Sequence, residues 1–384
     1  MTTEYAAPGG LPFRYAVDGG GVTITKYTGT APDVVIPDKI EGKPVTAIGD
    51  RAFAWKPVVS VTGGRRIGRI GEKAFYLCRL LASAPLGDGL VSIGDDAFGF
   101  CSALTSVSLP DSVVSIGREC FARCDALSAV EIGSGLQTIG EQAFYSDSGL
   151  TSFTVSEDNG SFSSVDGVLF DKERTELIQH PSGRREASYQ IPAGVRRVRG
   201  YAFAWAGVKR VLFPDSTVSV GEFAFSYSAV EEIRFGANLH TIGKAAMEYC
   251  HALRSVHLPE NLIEIGEAAF YDCRALEVVS VPDSVRTIKA YAFQYCTALR
   301  NVVIGSGLRS LGDGAFYGGN FSPNAGNHFM HMQTFTLYSR QVEVGVYQLG
   351  YIHGLTLQGW RDSALHRYAS GISDNMFIPL DAPA

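Results

Sequence analysis

Three histidines near the end of the chain are the residues whose type and spacing best suit a metal site. His328 and His331 stand three positions apart, so a helix would place both imidazoles on one face, and His353 follows in the same part of the chain. The surrounding residues indicate neither that helix nor an acidic third ligand, and the H-E-x-x-H pattern is absent. We therefore expect no metal and no other cofactor, and we interpret these histidines as part of an apolar loop.

Catalytic signatures are absent from the rest of the sequence. It contains no G-x-S-x-G nucleophile elbow, no G-x-x-x-x-G-K phosphate loop and no dinucleotide fingerprint followed by an acidic residue. We therefore expect a non-enzymatic protein. The alternative is an enzyme or maturation factor that uses the histidine-containing loop at residues 318–333.

The cysteines follow a packing pattern rather than a metal-binding pattern. A free thiol behaves as a small buried hydrophobic group. The count of seven is odd and no pair has the spacing of a zinc knuckle, so we expect buried thiols that serve packing. Cys120 replaces a small alanine, and the other six stand three residues after a recurrent aromatic position: Cys78, Cys101, Cys124, Cys250, Cys273 and Cys296.

The charge balance argues against two classes of partner. The net charge of −6 and the sequence pI of about 5.8 disfavour broad binding to nucleic acid or to anionic membranes. Basic residues gather between Arg184 and Arg210, but Glu186 and Asp215 lie close to them, so a solvated rim is a simpler interpretation than an anion site. No run approaches the roughly 20 apolar residues that span a bilayer, and we expect no membrane insertion.

The opening residues leave the location of the protein open. They lack the charged segment followed by an apolar segment that marks a secretory signal. We expect a cytoplasmic protein if the chain is complete as given. A secreted or cell-surface protein is expected if an upstream leader was removed.

A repeated phrase, Ile-Gly-x-x-Ala-Phe, indicates the architecture that must position all of these residues. It recurs eleven times between Ile48 and Phe316, at steps of 22 or 23 residues, with one step of 59 between Phe144 and Phe203. A unit of this size cannot bury its own apolar face and must stack on its neighbours. The spacing Leu-x-x-Val-x-Leu that begins at Leu104 is that of a leucine-rich repeat.

One unit shows how each coil is built. The alternation in Ser106-Val107-Ser108-Leu109 predicts a strand whose two apolar residues face the core and whose serines face solvent. We expect the recurrent Phe to fill the space between layers.

Glycine follows the repeat's isoleucine in nine of the eleven units, and Arg199 and Lys289 take its place in the other two. This tolerance indicates tight space and favourable turn geometry rather than an absolute need for glycine.

These repeats and three flanking segments resemble the BspA-like leucine-rich repeat proteins of bacteria, over nearly the whole chain. Residues 22–49 are similar to the family's opening cap, residues 162–178 to its hairpin insertion, and residues 360–378 to its closing helix and final strand. The resemblance implies an α/β repeat solenoid. In it, short parallel strands stack into a right-handed superhelix with caps at both ends and one β-hairpin insertion. It implies no particular activity, because the family is grouped by its repeat.

The expected organisation has five parts. An N-terminal β cap spans residues 1–45, a first block of repeats 46–156, and a β-hairpin insertion 157–192. A second block spans residues 193–337 with a loop insertion at 318–333, and a C-terminal cap spans 338–384. Within the hairpin, Asp166-Gly167 could form a two-residue turn. The family comparison instead favours a strand through these residues and a turn at Asp171–Arg174.

The strand face of the stacked repeats is the first candidate surface for function, because repeats present it as an extended concave surface. Its outward charges could bind a polar peptide or a sugar. For each of them the alternative is a solvated side chain that pairs across the ladder. The candidates are Glu131, Arg210, Glu232, Arg234 and His257.

The second candidate is the loop insertion at 318–333, because loops on rigid scaffolds are common binding elements. Its candidate residues are Phe321, His328, Phe329 and His331. We expect a non-enzymatic scaffold that recognises a protein or peptide partner through the strand face and this loop. An exported bacterial surface adhesin or glycan-binding protein is a further alternative. The sequence indicates no oligomeric state.

Overall fold

The described part of the chain folds as a β-solenoid of about 14 turns with almost no helix. The computed structural model describes residues 5–83, 86–318, 332–340, 342–344, 356–370 and 376–380. The chain divides into two compact units, Met1–Arg174 with Gln179–Arg184, and Thr175–Ile178 with Arg185–Ala384. The predicted repeat solenoid is confirmed. Among the described residues the one α-helix is α1 (Ala364–Ser370), so strands and turns build the coils.

In the first unit, short strands line two sides of each coil. They are β1 (Tyr5–Ala6), β2 (Phe13–Asp18), β3 (Gly21–Tyr27), β4 (Asp33–Ile36), β5 (Lys39–Ile40), β6 (Lys43–Ile48), β7 (Ser60–Gly63), β8 (Arg69–Ile70), β9 (Ser92–Ile93), β10 (Ser106–Leu109), β11 (Ser115–Ile116), β12 (Ala129–Ile132), β13 (Thr138–Ile139), β14 (Ser152–Val155), β15 (Phe162–Val165) and β16 (Val168–Asp171). The parallel strands β10, β12 and β14 form the strand face. A second sheet runs from β13 through β11, β9, β8 and β6 to β3, which pairs antiparallel with β2.

The second unit repeats this plan. Its strands are β17 (Glu176–Gln179), β18 (Tyr189–Gln190), β19 (Arg197–Val198), β20 (Arg210–Leu212), β21 (Ser219–Val220), β22 (Glu232–Arg234), β23 (Thr241–Ile242), β24 (Ser255–His257), β25 (Glu264–Ile265), β26 (Val278–Val281), β27 (Thr287–Ile288), β28 (Asn301–Ile304), β29 (Ser310–Leu311), β30 (Thr334–Leu337), β31 (Glu343–Val344), β32 (Thr356–Gly359) and β33 (Met376–Pro379). Two parallel sheets form its strand face, β18-β20-β22-β24 and β26-β28-β30-β32-β33. The odd-numbered strands from β17 to β31 form the sheet on the other side of the coils.

Stacked phenylalanines fill the core of both units, as the repeat predicts. In the first unit the ring of Phe98 lies 5.1 Å from that of Phe75 and 5.3 Å from that of Phe121, with interplanar angles of 7° and 2°. In the second unit the rings of Phe293 and Phe316 are 5.0 Å apart at 5°. The strand β10 alternates exposed and buried residues, which confirms the predicted inward and outward positions.

The cysteine thiols pack in the same core. The Sγ of Cys101 donates a hydrogen bond to the carbonyl oxygen of Phe75 at 3.2 Å, and the Sγ of Cys250 donates to that of Phe225 at 3.0 Å. All seven thiols are buried, and burial raises the pKa of Cys250 to about 12. A recurrent thiol therefore serves packing, because each is small, apolar in its surroundings and bonded to a core carbonyl.

The repeat's glycines occupy tight space rather than a left-handed conformation. A Cβ atom at Gly94 would lie 2.7 Å from the backbone nitrogen of Glu72 in the preceding coil. Where a long side chain replaces glycine, it reaches a carboxylate: Arg199 bonds Glu176 at 2.6 Å, and Lys289 lies 2.7 Å from its partner Glu264. These contacts agree with the interpretation from the sequence: the position has little space, but it does not strictly require glycine.

Left-handed backbone occurs instead at two other positions in ten of the eleven repeat units, and ordinary residues adopt it. Arg51 has a φ of 55° and Trp55 a φ of 62°. Their amides donate hydrogen bonds to the carbonyls of Glu72 and Tyr76 in the next coil, both at 2.9 Å. Left-handed residues cannot continue a right-handed helix. The segment that follows each repeat phrase is therefore a series of turns, and this explains why the fold has almost no helix.

The hairpin insertion corrects one expectation. β15 and β16 pair antiparallel with Val165 opposite Val168, so the chain turns at Asp166 and Gly167. Their φ values of 48° and 76° suit a two-residue type I′ turn. The predicted strand through these residues is wrong. A second turn does follow β16, where the amide of Arg174 donates to the carbonyl of Asp171.

The two ends of the chain carry the elements that the resemblance implied, although their role as caps stays a prediction. At the N-terminus, β1 and β3 both pair antiparallel with β2, and β3 then pairs parallel with β6. Near the C-terminus, α1 follows β32, and β33 adds to β32 in parallel.

Candidate binding surface on the strand face

Four of the five charged residues predicted on the strand face lie on adjacent strands of the second unit. Arg210 on β20 is in register with Glu232 on β22, and Arg234 on β22 is in register with His257 on β24. Neighbouring strands are about 4.8 Å apart, so the four side chains form one compact row. We call these four residues the charged row.

One ion pair joins two members of the charged row. The Nε of Arg234 donates to Oε1 of Glu232 at 2.6 Å. Residues two apart on a strand point to the same side, which allows this contact. Because the Arg234 side chain is 62% exposed, the pair contributes little to stability, about 0–1 kcal/mol. The geometry of Glu232 and Arg234 is that of a solvated ion pair, the alternative to ligand binding given in the sequence analysis. The pair lies within one strand rather than across the ladder.

Arg210 and His257 are the other two members of the charged row. Both side chains are exposed, and within the described residues neither makes an ion pair or a side-chain hydrogen bond. Arg210 presents five N–H donors, and His257 presents one donor and one acceptor when neutral. These groups are therefore available to a ligand, with the Glu232–Arg234 pair between them.

Glu131 belongs to the first unit and to a different sheet. It lies on β12, in register with Ser108 on β10 and Thr154 on β14. Its neighbours are therefore small hydroxyl residues, and within that sheet it is an exposed charge on an uncharged polar surface. The charged row does not include it, and its role in binding stays a prediction.

The remaining predicted residues lie outside the described part of the chain. Of the loop at 318–333, the structure describes positions 318, 332 and 333. Among the described residues, no group of three or more His, Cys, Asp and Glu side chains could hold a metal ion. The contribution of the loop residues to binding stays a prediction for Phe321, His328, Phe329 and His331. The metal candidate His353 lies beyond the loop, also outside the described residues.

Beyond the charged row, the strand face becomes neutral and polar. The Oγ1 of Thr334 on β30 donates to Oδ1 of Asn301 on β28 at 3.0 Å. The Oγ1 of Thr336, which is buried, donates to Oε1 of the half-buried Gln358 on β32 at 3.1 Å. Hydroxyl and amide groups of this kind bind other hydroxyl and amide groups, so this part of the face suits an uncharged polar ligand.

An exposed row of aromatic rings on the turn segments of the second unit was not predicted. The rings of Trp205 and Tyr227 are 4.7 Å apart at 3°, and those of Tyr227 and Tyr249 are 4.6 Å apart at 21°. Each stands two residues after the recurrent aromatic position, at a left-handed residue. The signal was present in the sequence as a repeated aromatic at that position. Because the rings stack face to face, they present mainly their edges to solvent.

The repeat geometry matches one family of proteins. A family model described as the BspA type leucine rich repeat region matches six copies, at residues 46–173 and 187–297, which is more than half of the chain. The chain belongs to the BspA-type leucine-rich repeat family. The resemblance drawn from the sequence is thereby confirmed. Among the described residues, this BspA-type chain has no helix with the length and apolar character that a membrane span requires.

Solved structures of bacterial leucine-rich repeat proteins are similar to this BspA-type chain. A leucine-rich cell surface protein from Faecalibacterium prausnitzii is 29% identical, covers 79% of this chain and 94% of its own, and has a TM-score of 0.53. The pneumococcal vaccine antigen PcpA is 20% identical over 100% of both chains, with a TM-score of 0.68. A leucine-rich repeat protein from Eubacterium ventriosum is 21% identical over 85% of this chain and 97% of its own, with a TM-score of 0.63. The last two show the fold alone. None of the curated proteins matches the sequence.

Proposed function

We propose that this chain is a non-enzymatic scaffold that recognises a protein or peptide partner. The contact surface is the strand face of the second unit, with the loop at residues 318–333 as a second contact element. The observation that carries the proposal is the charged row of Arg210, Glu232, Arg234 and His257 on three adjacent strands. A sheet holds these groups in place before binding, so a ligand does not have to order them.

The chemistry of the charged row suggests a partner segment of mixed charge. The guanidinium of Arg210, which pairs with none of the described residues, suits a carboxylate because its planar fork can donate two parallel hydrogen bonds. The exposed Arg234 and the half-buried Glu232 offer a cation and an anion two residues apart. A peptide with an acidic residue opposite Arg210 and a basic residue opposite Glu232 would complement both charges, and such complementarity favours one register over others.

A displayed library of random peptides, selected on the full immobilised chain, tests this proposal. We expect selected peptides of mixed charge whose Kd rises by about tenfold or more in the variant Arg210→Glu, because a like charge then faces the peptide's carboxylate. The matched control is Arg196→Glu, since Arg196 is also exposed and lies in the same unit but outside the charged row. Selected peptides that bind Arg210→Glu as tightly as the wild type would remove the strand face from the proposal.

The loop is tested separately by a chain that lacks residues 318–333. Circular dichroism first establishes that the shortened chain keeps its strand content and its melting temperature. Weaker binding of the same peptides then supports the loop as a second contact element. Unchanged binding restricts the proposal to the charged row.

A second candidate function is that of an exported surface adhesin or glycan-binding protein. It is favoured by the similarity to a Faecalibacterium prausnitzii protein described as a leucine-rich cell surface protein. The neutral part of the strand face around Asn301 and Thr334 offers half-buried groups that suit sugar hydroxyls. A glycan array would support this candidate if a bound glycan loses affinity in Thr334→Val but keeps it in Arg210→Glu. Protease treatment of intact cells of the source bacterium tests surface exposure directly.

A further inference from the structure

A cleft in the second unit carries three arginines, although the chain as a whole has a net charge of −6. The cleft has a volume of about 590 Å³, which is enough for a small organic ligand. It lies at the turns that follow β26, β28 and β30. Its polar lining includes Arg286, Arg309, Arg340, Ser306 and Ser339, with Trp360 beside them.

The repeat brings the first two arginines together. Arg286 and Arg309 occupy the same position in successive coils, and the amide of Arg309 donates to the carbonyl of Arg286 at 2.8 Å. Coils in this ladder are about 4.8 Å apart, so the two side chains start from neighbouring rungs. Arg340 comes from the next coil, where the Oγ of Ser339 anchors the chain by donating to the carbonyl of Leu308 at 2.6 Å.

The guanidinium of Arg286 is held by backbone carbonyls. Its Nη1 donates to the carbonyl of Asp283 at 2.8 Å and to that of Gly307 at 2.9 Å. Glycine is needed at 307, because a Cβ atom there would collide with the backbone carbonyl oxygen of Asp283. Neutral carbonyls orient this group but leave its positive charge in place.

Arg340 is positioned by an aromatic ring. Its guanidinium carbon lies 3.8 Å from the ring centre of Trp360, a cation–π contact. The Nε1 of Trp360 donates in turn to the carbonyl of Tyr338 at 2.8 Å. One face of the Arg340 guanidinium is therefore covered, and its N–H edge stays available.

Acidic groups near the cleft do not neutralise it. Within the described residues, none of the three arginines forms an ion pair with a carboxylate. The nearest acid along the chain, Asp283, uses Oδ1 to accept the amide of Ser306 at 2.6 Å and its hydroxyl at 3.0 Å. These bonds, the backbone one first, lower the pKa of Asp283, and attraction to Arg286 adds to them. Glu343, on β31 beside β29, also makes no ion pair with these arginines in the described part of the chain.

We propose that this cleft binds a ligand with at least two oxyanion groups, held by Arg286, Arg309 and Arg340. Guanidinium groups match phosphate, sulfate and carboxylate oxygens through paired N–H donors. Two neighbouring rungs and a third arginine from the next coil present donors at separate points of the cleft, which suits a ligand with more than one oxyanion group. The site shares no residue with the charged row, so it is a second binding function of the same unit.

Isothermal titration calorimetry on the full chain in low salt tests the proposal with three probes: inorganic phosphate, tripolyphosphate and a sulfated oligosaccharide. We expect saturable binding of a probe with several oxyanion groups, and a Kd at least tenfold weaker in Arg309→Gln, because one of three cations is lost. Arg309 is exposed and makes no side-chain hydrogen bond within the described residues, so this variant should keep its melting temperature. The matched control is Arg196→Gln, which removes an exposed arginine from the equivalent position of an earlier coil.

Each outcome of the titration either identifies the kind of ligand or contradicts the proposal. Tighter binding of tripolyphosphate supports a free polyanion as the ligand, and tighter binding of the oligosaccharide supports charged groups on a glycan. Inorganic phosphate that binds as tightly as both would overturn the requirement for two groups. Equal weakening in Arg309→Gln and Arg196→Gln, or no saturable binding of any probe, would overturn the site itself. The variant Arg210→Glu distinguishes this proposal from that of peptide binding by the strand face. It should leave oxyanion binding in the cleft unchanged, whatever the peptide experiment shows.

Discussion

The carboxyl group of Asp147 stands where six other coils have a cysteine thiol. It is fully buried, and its Oδ1 accepts the amide of Cys124 at 2.7 Å. Among the described residues its Oδ2 has no hydrogen-bond partner. Burial raises the pKa of Asp147 well above its ordinary value, and the nearby carboxylate of Asp125 acts in the same direction. Burial of Asp147 therefore favours the neutral form of its carboxyl group in the folded chain.

The variant Asp147→Asn tests this assignment through its pH dependence. In the unfolded chain the carboxyl ionises near pH 4, roughly, while the folded chain holds the proton to a higher pH. The stability of the wild type therefore falls as pH rises through that window. Asn cannot ionise and still offers an acceptor to the amide of Cys124. We expect Asp147→Asn to have the higher free energy of unfolding in urea at pH 7, with a difference that shrinks towards pH 4.

The matched control for this measurement is Asp88→Asn, because Asp88 is exposed. Its stability relative to the wild type should change little with pH. An Asp147→Asn variant that is less stable than the wild type at both pH values would show that the carboxyl group is ionised and bonded in the fold.

Among the elements, the β15–β16 hairpin shows how a local signal can outweigh a family comparison. Asp-Gly is a strong signal for a two-residue turn, since both central residues of a type I′ turn need a positive φ. The structure follows that signal at Asp166 and Gly167. The expectation of a strand through these residues was wrong because it relied on the resemblance instead of the backbone preference of the two residues.

The variant Gly167→Ala tests the turn. An alanine at 167 would have to adopt a φ of 76°, and its Cβ atom would lie 3.2 Å from the Cβ of Ser152. We expect a loss of about 1–2 kcal/mol in the free energy of unfolding, from the cost of a left-handed alanine. Gly160→Ala is the control, because Gly160 has space around it and no positive φ. Equal stability of the two variants in urea would contradict the turn.

The strands and the core were predictable from the sequence, but the turn segments were not. A period of two places Val107 inside and Ser106 outside whatever the neighbouring coils do. The left-handed residues carry side chains as different as Arg51, Trp55 and Phe223, so no residue type marks them. Their conformation depends on amides that bond the next coil, and that contact is visible only after the coils are stacked.

The two candidate sites also differ in how far the sequence predicts them. The charged row was found because outward strand positions recur at a known step along the repeat, and its register follows directly from that step. The arginine cleft was not found, because Arg340 follows the break in the repeat after Phe316. Counting along the chain therefore does not place it beside Arg286 and Arg309.

At the scale of the whole molecule, each coil of a solenoid contacts mainly its neighbours, so damage should stay local. We expect Phe98→Ala to cost about 3–5 kcal/mol, because it removes a stacked ring from a close-packed core. Hydrogen exchange followed by mass spectrometry should then accelerate most in residues 70–125 and least in residues 265–318. The control Phe293→Ala should reverse the pattern. Equal acceleration in both units would show that the chain unfolds as one cooperative block.

The buried thiols also make this chain suitable for site-specific labelling. All seven native cysteines are buried, and maleimides react with accessible thiolates. A cysteine placed at the exposed position of Arg210 would therefore be the thiol that such a reagent reaches under native conditions. A photo-crosslinker attached there would capture whatever occupies the strand face, with every native cysteine left in place.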